Sequence, residues 1–141
     1  MAIRTAAWFV HRGSGMTTMT RLFCALCVVA GAACSDSATD IGDATVNGQM
    51  FHVSREGPMP AAGVSTQLVF KAMDGSKPDS IMAWVGVANV ELSQKVLAVY
   101  DPGDGDFDDD VICPSPLPAG AKIWFDVTVG ATTTTGSVDI K

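Results

Sequence analysis

Between positions 122 and 129 the chain alternates. Ile123, Phe125, Val127 and Val129 are apolar, and Lys122, Trp124, Asp126 and Thr128 stand between them. A period of two sends the two sets to opposite faces of an extended chain, which is the pattern of a half-buried strand. Gly130 and Ala131 then offer a turn, and the threonine-rich tail through Val138 and Ile140 can return beside the strand as a hairpin. Further short apolar runs at 45–53, 66–73, 80–88, 95–100 and 111–113 read as strands, with a dense turn signal at 74–79. No stretch sustains the i, i+3, i+4 apolar spacing of a helix. About seven short strands in one segment predict an all-β domain over 44–141, built as an antiparallel β-sandwich.

The first third is of another kind. An apolar run of twelve residues, 22–33, follows a short basic start and ends in small residues before Cys34. This three-part order is that of a secretory signal, expected over 1–33 as a cleaved signal helix, with Met16 or Met19 as a candidate true start. The run is shorter than the roughly 20 residues a permanent spanning helix needs. Cys24 and Cys27 lie inside it, so their spacing marks no redox or zinc site once the signal is removed. Residues 34–43 are small, polar and acidic with one bulky apolar side chain, Ile41, and are expected to form a flexible tether.

Two resemblances add to this reading. Ala30-Gly31-Ala32-Ala33-Cys34 resembles the lipobox of bacterial lipoproteins, although Gly31 replaces the leucine usual three positions before the cysteine. The resemblance implies a diacylglycerol on Cys34, a membrane anchor, and a place on the cell envelope. Ser35 resembles the sorting pattern for the outer membrane, facing the periplasm or the cell surface. The same small residues also suit an ordinary signal peptidase, in which case Cys34 and Cys113 could close a disulfide. Near the C-terminus, Leu117-Pro118-Ala119-Gly120 leading into Ile123-Trp124-Phe125 and a closing hairpin resembles the last two strands of immunoglobulin-like or fibronectin-like domains.

From Cys34 onwards there are six basic and fifteen acidic residues, a balance of −9. Nucleic acid is thereby excluded as a partner, since its binding rests on Lys and Arg displacing counterions. Between Asp101 and Asp110 stand six carboxylates in ten residues. Asp104, Asp106 and Asp108 keep the 1, 3, 5 spacing of an EF-hand, but Asp109 sits where glycine is needed and Ser115 where glutamate is needed. Two readings stay open: a solvated acidic turn, or a looser calcium site with Asp101, Asp104, Asp106, Asp108 and Asp110 as ligands.

Met50 and His52 fall on one face of a predicted strand, and with Met59 they suggest a soft copper site or ordinary packing. Trp84 and Trp124 are out of phase with the apolar pattern, as a ligand platform or as core. A small hydrolase could use Cys113, paired with His52, or the loop aspartates as acid and base. The leading expectation is a non-enzymatic binding or structural module whose partner is an envelope protein or polymer, with no catalytic residues and at most calcium as a cofactor.

Overall fold

The computed structural model describes residues 37–141. The expectations for the signal at 1–33, the start at Met16 or Met19, and lipid on Cys34 lie outside the described residues. What it describes is all-β. Eight strands form one antiparallel sheet: β1 (Thr39–Val46), β2 (Gln49–Glu56), β3 (Ser65–Ala72), β4 (Ser80–Gly86), β5 (Val96–Asp101), β6 (Asp106–Ile112), β7 (Lys122–Val129) and β8 (Thr132–Asp139). Their spatial order is β1-β2-β3-β6-β5-β4-β7-β8. Strands β4, β5 and β6 form a meander, and β7 returns beside β4 through the long connection 113–121, which is a Greek key.

The sheet curls until its two edges, β1 and β8, lie side by side, so the shape is nearly that of a barrel. Gly136 makes this approach possible: a Cβ there would stand 2.3 Å from the Val46 side chain. The enclosed face holds the core. Phe125 of β7 meets Phe70 of β3 at 5.0 Å and Phe51 of β2 edge-on at 5.8 Å between ring centroids, joining the two halves through the interior. Leu68, Ile81, Ile123 and Val127 complete the packing. The alternation at 122–129 has its counterpart here, since Ile123, Phe125 and Val127 are buried.

Three expectations are corrected. The run 45–53 is two strands rather than one, because Asn47 and Gly48 adopt positive φ and close a two-residue hairpin. Asn-Gly is the strongest short hairpin signal, since both central residues of such a turn need the left-handed conformation. Residues 39–43 do not belong to a tether, because Thr39–Asp43 is part of β1 and pairs with β2, with Ile41 buried in the core. Averaged composition hid one well-placed apolar residue. The acidic segment is not a ten-residue loop, because β6 begins at Asp106 and runs between β3 and β5. Phe107 and Val111 point inward and hold it there despite its aspartates.

The connections divide the fold into two ends. At one end are 47–48, 73–79, 102–105 and 130–131, mostly tight turns. At the other are the longer connections 57–64, 87–95 and 113–121, together with the start of β1.

Candidate functional site

The sheet is incomplete at that second end. Strand β5 pairs with β4 only from Val96 to Ala98, and with β6 only from Val99 to Asp101. Val96–Ala98 are therefore bonded to β4 alone and Asp109–Ile112 to β3 alone, and no strand bridges β4 and β6 at this end. A cleft of about 500 Å³ opens there. Val85, Val96, Ile112 and Pro114 supply apolar walls, Val87 and Val90 contribute from the connection 87–95, and Asn89, Gln94 and Asp110 add polar groups. A volume in the range of about 300–1,000 Å³ with apolar walls and a few polar groups is the usual form of a small-ligand site.

A charged latch fixes one margin of the cleft. Lys95 Nζ lies 2.6 Å from Asp126 Oδ2 and 4.2 Å from the centre of the Trp84 ring. Asp126 also accepts a hydrogen bond from Thr135 Oγ1 at 2.6 Å, which extends the latch to β8. Trp84 and Trp124 stack on the outer face of the sheet at 6.3 Å, and their indoles donate to the Val87 and Gly86 carbonyls. Trp84 is 1 % exposed yet lies outside the enclosed core cluster. Its out-of-phase position thus has a structural cause: it is buried on the outer face and lines the cleft at the same time.

Cys113 also borders the cleft. It is buried, and desolvation pushes its thiol above the ordinary value, away from the thiolate a nucleophile requires. His52 borders a different, smaller depression with Ser54, Lys71, Asp104 and Asp106, so the Cys113–His52 pair is not assembled. The His52 ring is instead bracketed by β1 carboxylates, with Nδ1 2.8 Å from Asp43 and Nε2 3.7 Å from Asp40. The copper grouping separates as well. Met50 sits beside the 47–48 turn and Met59 in the connection at the other end of β2, about 20 Å along the strand.

The aspartates are spread out. Asp101 closes its own turn, its Oδ1 accepting from Gly103 N at 2.6 Å. Asp104 is exposed and its carbonyl accepts from Lys71 at 2.8 Å. Asp106, Asp108 and Asp110 follow one another along one face of β6 at every second position, about 7 Å apart. Partial burial pushes the Asp106 carboxyl above its ordinary value, with Lys71 opposing and Asp104, Asp108 and Asp101 reinforcing the shift. Among the described residues, no three His, Cys, Asp or Glu side chains come together in a way that could hold a metal ion.

Sequence reasoning missed the cleft. Its lining comes from strand ends and from 87–95, which carries no motif; the available signal was the cluster of bulky residues Val87, Val90 and Leu92 in a segment between strands. No protein-family model, curated protein or solved structure matches this chain.

Proposed function

We propose that the chain is an exported, lipid-anchored binding module of the cell envelope, and that it binds an apolar group in the cleft between β4 and β6. The signal pattern before Cys34 supports export and anchoring. The cleft is the single observation that carries the binding role, through its apolar walls and its few polar groups. The raised pKa of Cys113 favours a packing role for that thiol over nucleophilic chemistry. The immunoglobulin-like sandwich belongs to this reading as well, supported by the final hairpin and the Greek-key connection.

Two experiments test the two parts. Intact mass of the protein from the membrane fraction is expected to give a chain beginning at an acylated Cys34, and an unmodified N-terminus in the soluble fraction would remove the anchor. Titration of the purified protein with phenylnaphthylamine, a neutral apolar dye, is expected to raise dye fluorescence. Ser93→Trp, at an exposed position lining the cleft, is expected to abolish that rise. Dye binding that survives this substitution would remove the cleft as the site. Ligand selective for the folded state stabilises it by about 2.7 kcal/mol at about a hundred times Kd, so a rise in melting temperature is expected as well.

A further inference from the structure

Exposed apolar side chains occur over much of the surface, Met50, Met73 and Val129 at the turn end among them, but the end that holds the cleft joins the two most exposed of them to connections with little charge. Met59, Val87, Leu92 and Ile112 are large, apolar and exposed there, Leu92 by 69 % and Ile112 by 72 %. The three connections 57–64, 87–95 and 113–121 carry only two charged side chains, Glu91 and Lys95, and Lys95 is neutralised by Asp126. In a chain with a balance of −9 from Cys34 onwards, so little charge over three long connections is a marked depletion.

The route of the chain says what could cover this end. Strand β1 starts here, opposite the last residues of β2, and Thr39 is five positions after Cys34. At roughly 3.3–3.6 Å per residue, the chain can separate Cys34 from the sheet by at most about 18 Å. A lipid on Cys34 would therefore hold this end, and not the acidic one, close to the bilayer.

We infer that the end formed by connections 57–64, 87–95 and 113–121 rests on the surface of the bilayer that the Cys34 lipid enters, with Met59, Val87, Leu92 and Ile112 at the contact. This rests on the anchoring proposed above. Charge does not decide the orientation, because Asp74, Asp79, Asp101 and Asp104 share the opposite end with Lys71 and Lys77, while Asp40, Glu91 and Asp110 lie at this one; the apolar side chains and the short reach from Cys34 carry it. Arg55, Lys122 and Lys141 lie on the strand ends and tail that surround the contact, beside Glu56 and Asp139, with Lys122 Nζ 2.8 Å from Asp139 Oδ1. Apolar side chains at the headgroup boundary add their own burial to the pull of a single anchor.

The test uses the full chain, purified from membranes, verified as acylated by intact mass, and reconstituted into phosphatidylcholine vesicles containing nitroxide-labelled lipid. Trp84 and Trp124 are the only tryptophans after Cys34, and both lie near this end. Nitroxide near the headgroups is expected to quench their fluorescence. The double variant Leu92→Glu, Ile112→Glu is expected to lose most of that quenching while keeping its acyl mass, its vesicle association and its melting temperature. Acylated protein whose tryptophans are not quenched overturns bilayer contact and leaves the anchor standing. Equal quenching of wild type and variant overturns the assigned contact residues and with them the inference. A chain with no acyl mass removes the premise itself, a failure separately visible in the mass spectrum. Protection of this end in whole envelopes but not in pure lipid vesicles would assign it to a protein partner and overturn the bilayer reading.

Discussion

One sheet supports two ends of opposite character. At the turn end, β1 and β2, and β7 and β8, are joined by two residues each and are paired right up to those turns. Asp101 and Asp74 fold their side chains back onto Gly103 and Ser76 and so close local turns. At the cleft end the connections are eight or nine residues long, β5 fails to bridge β4 and β6, and Leu92 and Ile112 are the most exposed large apolar side chains among the described residues. The acidic end drew attention in the sequence because carboxylates resemble chemistry. The cleft end has the shape a ligand needs and no motif to announce it. A high density of charged residues can mark a solvated surface, whereas unfinished strand pairing marks a place where something else can bind.

The comparison assumes that both ends share one interior. Phe125→Ala removes the ring that joins β7 to β2 and β3, and is expected to cost about 3–5 kcal/mol. Urea unfolding followed at both ends, by tryptophan fluorescence and by amide exchange in the turns, should show the two transitions shifting together. Transitions that separate would mean that the ends belong to independently stable halves.

The latch belongs to the cleft end alone. Lys95→Ala leaves Asp126 without its cation in a partly buried position and uncovers the Trp84 ring. The expected cost is about 1–2 kcal/mol, between the values for exposed and buried pairs. Tryptophan emission should shift to the red and dye affinity should fall, with amide exchange in 102–105 unchanged. Loosening of the turn end in this variant would show that the two ends are coupled.

The smallest effect is expected from the acidic end. Asp106 has a raised pKa in the folded protein, mainly through burial, so the folded state holds its proton more tightly than the unfolded chain does. Its charge is therefore unfavourable at neutral pH, and that penalty disappears as pH falls through the raised value. Asp106→Asn should stabilise at neutral pH by no more than about 0.5 kcal/mol, and the gain should vanish at acid pH. Asp74 and Asp139 act in the other direction. Hydrogen bonds from Ser76 and Lys122 lower their pKa values, so their contribution is present above the unfolded value and is lost as pH falls through the folded one. An Asp106→Asn gain that grew on acidification would contradict this assignment.

How much could be read in advance follows from what each segment needed. Strand β7 was legible because its period of two matched its burial at Ile123, Phe125 and Val127, failing only at its last residue, Val129, which is exposed beside the 130–131 turn. Strand β6 was not, because aspartates are poor strand formers and only Phe107 and Val111, placed four apart, anchor it between neighbours. The Asn47-Gly48 hairpin was present in the sequence but was overridden by the apolar run around it. The start of β1 depended on one isoleucine finding the core, which no local average registers. The cleft was the least legible feature, since it results from where β5 stops pairing, and that depends on the Greek-key crossing rather than on any stretch of residues.

The most direct test of the account is amide hydrogen exchange on the purified protein with and without saturating phenylnaphthylamine. Added protection is expected in 87–95 and 113–121, with 47–48 and 102–105 unchanged. Protection confined to the acidic turns, or none at the cleft under saturation, would contradict the assignment of binding to the unfinished end of the sheet.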